Sequence, residues 1–227
     1  MVPAVSPDLE AAIRRLEEGT AGRRLQFREG FASFAARHEL SNWEGWFSPY
    51  SAETYEAVLN HIQPDDVVLD VGAGDLRLAL RIAKQAERVY AVEVNPLLLA
   101  RALEAIGLDL PRNLHVVCAN ALDFRVPTDV TVAVLLMRHC HRFQVYVDHL
   151  EAAGCGRLLT NARWGMDLEV IDLTTPGIDF EDVHEGWYAC RCGATGYVGA
   201  GARPEVVPIE VHSCPACSDA EPDKRQD

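Results

Sequence analysis

The sequence predicts an α/β protein: a doubly wound, mostly parallel sheet, preceded by helices and followed by a small cysteine-rich module. Three observations predict it. From Asp66 onward, short apolar runs alternate with helical windows. The first run ends in a tight Gly-x-Gly turn, Gly72-Ala73-Gly74. Of seven cysteines, Cys118, Cys140 and Cys155 are scattered, while Cys190, Cys192, Cys214 and Cys217 crowd together near the C-terminus.

In chain order, Leu9, Ile13 and Leu16 share one helical face, and Phe31, Phe34 and Ala35 form another after the Gly22 break, so two helices are expected ahead of the sheet. An aromatic stretch follows, Trp43, Trp46, Phe47 and Tyr50, then Ser51 as the N-cap of a helix to about His61. Strands are expected at 67–69, 89–92, 114–117, 130–136 and 156–160, with helices at 76–85, 97–106 and 142–152. Leu168 to Leu173 read as a further strand before the Pro176-Gly177 turn. At 227 residues and 48% apolar, the chain fills one such domain plus an appendage. The expected division is 1–62 as a helical cap, 63–180 as the core, 181–217 as the cysteine module and 218–227 as a polar tail.

A formal net charge of −13 argues against DNA as a partner, because phosphate binding depends on clustered Lys and Arg. The first residues lack a basic segment followed by an apolar one, and no stretch reaches membrane-spanning length. With scattered single cysteines suited to a reducing compartment, a cytoplasmic protein is expected, with no membrane partner.

The segment Val67 to Leu76 is a buried strand running into the glycine turn and then a helix. Missing side chains at Gly72 and Gly74 let a ligand approach the backbone. A dinucleotide site wants a third glycine at position 77, where this chain has Arg77. Asp70 points the same way, since a carboxylate beside the loop repels phosphate and suits an ammonium group. Twenty-three residues after Asp70, the second strand ends in Glu93, placed to accept from two ribose hydroxyls.

These residues resemble the class I S-adenosylmethionine (SAM)-dependent methyltransferases, whose first motif is acidic-x-Gly-x-Gly and whose second strand ends in an acidic ribose ligand. The resemblance covers about residues 47 to 173 and implies a Rossmann-like methyltransferase sheet. It extends to Ala119-Asn120-Ala121, where the family often has Gly-Asp-Ala at the adenine. It also reaches Phe47-Ser48-Pro49-Tyr50, similar to the segment that folds over the methionine end of SAM. The implied cofactor-binding residues are Tyr50, Asp70, Gly72, Gly74, Glu93, Asn120 and Ala121, with Asp123 as a fallback for Asn120.

In open α/β sheets ligands bind at the carboxyl ends of strands, which directs the search for the acceptor site to Met137-Arg138-His139-Cys140-His141-Arg142-Phe143. The Asn/Asp-Pro-Pro-aromatic motif of base-amine methyltransferases is absent. His139 is the first candidate general base and His141 the second, since deprotonating an acceptor speeds in-line attack on a sulfonium methyl. Ordinary surface contacts of a helix N-terminus are the alternative. Asn161, Arg163 and Trp164, after the fifth strand, stand either as a substrate wall or as a packed, capped strand end.

Cys190-x-Cys192 and Cys214-x-x-Cys217, with twenty-one residues between the pairs, supply the four thiolates of one tetrahedral zinc and resemble a zinc ribbon. The first pair is one residue shorter than usual, which brings His184 or His212 forward as substitute ligands. Disulfides are the competing reading, against which a Cys190–Cys192 bridge would close a strained small loop; four protein ligands would make the zinc structural. The sequence thus predicts a SAM-dependent methyltransferase with a structural zinc and an unidentified acceptor, a protein or structured RNA partner being open to the ribbon. The alternatives are a small-molecule methyltransferase and a non-catalytic SAM-binding interaction protein.

Overall fold

The structure, a computed structural model, describes residues 7–20, 25–26, 36, 46–107, 110–138, 140–163, 167–200 and 207–219. Helix α1 (Pro7–Thr20) buries Leu9, Ala12, Ile13 and Leu16 on a single stripe, as their spacing requires. The expected second helix at 31–35 lies outside the described residues. Two brief strands, β1 (Leu25–Gln26) and β2 (Trp46–Phe47), pair antiparallel. Helix α2 (Ala52–Leu59) starts at the expected cap, where Ser51 Oγ accepts from the Thr54 N–H at 3.3 Å.

The central sheet follows: β3 (Val67–Val71), α3 (Arg77–Ile82), β4 (Arg88–Glu93), α4 (Pro96–Ile106), β5 (Leu114–Cys118), β6 (Val132–Leu135), α5 (Phe143–Ala153), β7 (Arg157–Thr160) and β8 (Glu169–Asp172). Helix α3 is shorter than the expected 76–85, because its last turn tightens into i→i−3 bonds at Lys84 and Gln85. Spatial order is β5-β4-β3-β6-β7-β8, with β8 alone antiparallel. The chain winds outward from β3 to β5, then returns to β6 and winds the other way. The order therefore reverses between β3 and β6, and the architecture is a doubly wound, Rossmann-like fold.

Among the described residues, two apolar clusters fill the two faces of this sheet. Val68, Ala91, Val134 and Leu159 meet α1 to α4, whereas Leu69, Ala133 and Leu158 meet Phe143, Val147 and Leu150 of α5. Arg15 fastens α1 to the end of α4, donating to the carbonyls of Ala105 and Ile106.

Beyond β8, a 3-10 turn at Phe180–Asp182 leads into β9 (Gly186–Cys190), β10 (Thr195–Val198), β11 (Ile209–Val211) and α6 (Pro215–Asp219). The small sheet has the order β10-β9-β11. Among the described residues no helix is long and apolar enough to cross a membrane.

Candidate functional site

The β3–α3 turn is built from bonds to its own neighbours. Gly72 and Gly74 take positive φ of 71° and 59°. The N–H groups of Gly72 and Ala73 both donate to the Val92 carbonyl, at 2.8 and 3.0 Å. Glu93 closes the turn: its Oε2 accepts from Gly74 N at 2.8 Å and its Oε1 from Asn95 N at 2.8 Å. The carboxylate expected to face two hydroxyls thus also braces the loop. Asn95 in turn caps α4, its Oδ1 accepting from Leu97 and Leu98.

Arg77, at the position where a dinucleotide loop has glycine, is buried and forks onto Asp75 at 2.6 Å, reaching also the Leu16 carbonyl of α1. Leu76 precedes it in the left-handed region, φ 67°. The third-glycine position therefore holds an ion pair that ties the loop to the N-terminal helix.

Asp70 lies inside the fully buried β3 and is 3% exposed, with Oδ2 lacking a partner among the described residues. Burial, with the Glu93 carboxylate beside it, pushes its pKa up to about 7. A cation placed here would be held and would return Asp70 to its charged form.

Opposite the turn, a β-carbon added at Gly72 would lie 3.7 Å from Met137 Cε and meet nothing nearer, so the glycine borders open space beside the β6 end. At Gly74 the added carbon would come within 2.5 Å of the Phe47 ring. The missing side chain at Gly74 thus admits Phe47 from β2, a role the sequence reading did not assign. Tyr50 donates from its hydroxyl to the Leu136 carbonyl at 3.1 Å, and the Arg138 guanidinium lies 5.7 Å from its ring centre. Tyr50, Asp70, Gly72, Gly74 and Met137 are thereby gathered at the point where the strand order reverses.

Asn120 Oδ1 accepts from Leu122 N at 3.0 Å, turning the chain after β5. Ala121 lines a small cavity with Val71, Val92, Leu135 and Tyr146. Asp123 is exposed. His141 is exposed just before α5, and His139 lies outside the described residues, as does Trp164.

Arg163 is 1% exposed and belongs to a junction between the two sheets. It pairs with Glu169 at 3.0 Å and Glu210 at 2.8 Å, donates to the Cys190 carbonyl and lies over the Phe143 ring. Burial pushes the Glu169 pKa up to about 7 against the pull of Arg163, with Glu210 adding to the rise. For Arg163 the capped, packed reading therefore holds. Its partners lie 6 and 47 residues away in the chain, so no local pattern pointed to them.

The four clustered cysteines converge. Their sulfurs all lie within 4.8 Å of one another, with Cys190–Cys217 at 3.6 Å, Cys192–Cys214 at 3.7 Å and Cys214–Cys217 at 3.9 Å. Four sulfurs at about 2.3 Å from a tetrahedral zinc are about 3.8 Å apart, so the spacing fits. The Ala194 N–H points at Cys192 Sγ, 3.5 Å away, and Gly193 takes φ 97° to make the turn. His212 faces Gly177 O and Asp179 instead, so it is no substitute ligand, and His184 is outside the cluster.

Comparison with known proteins centres on the sheet. Residues 68–160 match the model of a methyltransferase-domain family. A protein of unassigned function from Methanocaldococcus jannaschii, MJ1452, is 35% identical over 82 residues, covering 35% of this chain and 32% of that one. The dimethyladenosine transferase of Saccharomyces cerevisiae is 34% identical over 67 residues, covering 29% and 21%. This chain thus spans no more than about a third of these relatives. Among solved structures, the 23S rRNA methyltransferase ErmE aligns with a TM-score of 0.45 and 22% identity, over 51% of this chain and 47% of its own.

Proposed function

We propose that the chain is a SAM-dependent methyltransferase with a structural zinc. The observation that carries this reading is the buried, unpartnered Asp70 oxygen beside the Gly72–Gly74 turn, at the reversal point of a sheet matching a methyltransferase-domain family. Asp70 suits the ammonium of an amino-acid moiety, Gly72 leaves room for the chain to lie against the backbone, and Glu93 can exchange a loop N–H for ribose hydroxyls. Tyr50, bonded to the Leu136 carbonyl, stands at the same strand ends, and Asn120 with Ala121, just past β5, is assigned to the adenine end.

When bound, SAM supplies an electrophilic methyl group on sulfonium. This chain's part is to exclude water, align the acceptor and take its proton, with His139 and His141 as the candidate bases. Residues 1–62 serve as a cap, 63–180 as the catalytic core and 181–217 as the metal module, Cys190, Cys192, Cys214 and Cys217 holding one zinc. The acceptor we favour is a macromolecule, because the module stands against the start of α5 and enlarges the surface next to the proposed acceptor segment.

Calorimetric titration with SAM and S-adenosylhomocysteine tests the reading. Binding to the wild type, weakened in Glu93→Ala, is expected; no binding to the wild type would leave a metal-bearing interaction protein.

A further inference from the structure

At the carboxyl end of β7, Asn161 is 3% exposed, and neither its amide nitrogen nor its amide oxygen has a partner among the described residues. A buried amide left unpaired at both ends costs folding free energy on its donor and its acceptor alike. Asn161 therefore behaves as a group whose partner arrives with a ligand.

Strand register fixes where it stands. Thr160 is the last paired residue, opposite Leu135 on one side and Glu169 on the other, and extending that register by one residue sets Asn161 beside Leu136 and Leu168. Ala162 packs in the cluster of Phe143 and Leu158, whereas Leu159 belongs to the opposite face. Alternation places Asn161 on the face of Leu159, where Leu136, Leu168 and Tyr50 also pack. The Tyr50 hydroxyl is already committed to the Leu136 carbonyl.

Asp70, two residues beyond Val68, lies on that same face, and its Oδ2 is likewise unpartnered. Strand β6 runs between β3 and β7, so the two orphaned groups bracket the strand whose continuation is the acceptor segment. With Asp70 assigned to the cofactor's ammonium, Asn161 is left facing the acceptor.

We propose that Asn161 recognises the methyl acceptor by pairing both ends of its amide with the edge of a nucleobase. This rests on the methyltransferase reading above. An amide offers a donor beside an acceptor, and a base edge answers both at once. A carboxylate, phosphate or ammonium group would satisfy one end and leave the other buried and unpaired. The rim selects a nucleobase over a carboxamide: Arg138 and Arg142, with His141 between them, are exposed on the adjoining segment of a chain whose net charge is −13. Such a rim suits the phosphates that accompany a base.

The test uses the 227-residue chain as purified, without chelator, saturated with S-adenosylhomocysteine. The four ribonucleoside 5′-monophosphates and four homopolymeric single-stranded oligoribonucleotides are titrated by calorimetry into wild type, Asn161→Leu and Asn161→Asp. One base is expected to bind best, with Asn161→Leu weakening it at least about tenfold and S-adenosylhomocysteine affinity held within about twofold. Asn161→Asp, which keeps the shape and loses the donor, changes which base is preferred, and it serves if the leucine variant does not fold. Binding of mononucleotides assigns a small nucleotide acceptor; binding of oligonucleotides alone assigns RNA. Equal base binding by wild type and both variants overturns the proposal, as does a wild type that binds S-adenosylhomocysteine and none of the eight probes. Failure to bind S-adenosylhomocysteine is a different result, which removes the methyltransferase reading and this proposal with it.

Discussion

The glycine turn after β3 and the cysteine turn after β9 are built alike and left in opposite conditions. Each is a tight turn at a strand end that needs glycine at positive φ, Gly72 and Gly74 in one, Gly193 in the other. In the first, Val92 and Glu93 take up the turn's N–H groups, and the unsatisfied group is a single carboxyl oxygen on Asp70. That carboxyl can neutralise itself by taking a proton, because burial beside Glu93 raises its pKa to about 7. In the second, four sulfurs converge within 4.8 Å. Bringing four thiolates together without a cation is unfavourable, so an ion bound there would contribute to the folding of the module. One turn leaves a charge that a proton can neutralise, and the other gathers charges that call for a cation.

The largest expected effect breaks the second turn. Cys214→Ser should remove the bound metal and unfold the small sheet, while SAM binding to the core persists. Metal analysis by mass spectrometry together with hydrogen exchange over 186–217 would check both halves. No stoichiometric metal in freshly purified, reduced wild-type protein would sink the zinc assignment.

Next in size is the junction that joins the two regions. Arg163→Met strands the buried Glu169 without its cation, leaves Glu210 with Arg191 alone, and should cost about 3–5 kcal/mol in chemical denaturation, as breaking a buried pair does. Loss of under about 1 kcal/mol would show that solvent already screens the cluster.

Breaking the first turn should be milder for the fold. Gly72→Val forces a branched residue to φ 71° and should cost about 1–2 kcal/mol in stability. It should also weaken SAM by about a hundredfold, which is about 2.7 kcal/mol of binding. Unchanged affinity would place the cofactor elsewhere.

The smallest effect sharpens the comparison through Asp70. Its folded pKa is raised, so the stability it contributes is fully present at low pH and is lost as pH rises from about 4 toward about 7. Cofactor binding has the opposite sign, because the ammonium favours the ionised carboxyl. SAM affinity should fall up to about tenfold per unit as pH drops below about 7, and Asp70→Asn should flatten that slope. A wild-type affinity independent of pH between about 5.5 and 7 would contradict the assignment.

What the sequence made legible is what repeats or clusters. Apolar runs marked the strands from Val67 to Thr160, Ser51 marked its helix, and the cysteine spacing marked the four-sulfur cluster. The two-residue strands β1 and β2 carry no period to read. Phe47 against Gly74, and Arg163 between Glu169 and Glu210, join residues too far apart for spacing to reveal. Arg77 was visible as a departure from glycine, yet its fork onto Asp75 two residues away emerges only once the backbone turns at Leu76. The second N-terminal helix, His139 and Trp164 lie outside the described residues.

The single residue separating the first pair of cysteines is Arg191, which is 8% exposed. It donates to the carbonyls of Asp172 at 3.0 Å and Thr175 at 2.7 Å, and it pairs with Glu151 of α5. The unusually short spacing therefore puts the anchor to the large sheet inside the chelating loop itself. Lengthening that loop to the commoner spacing would swing the anchor out of register, so the convergence of the four sulfurs and the attachment to the core hang on one residue.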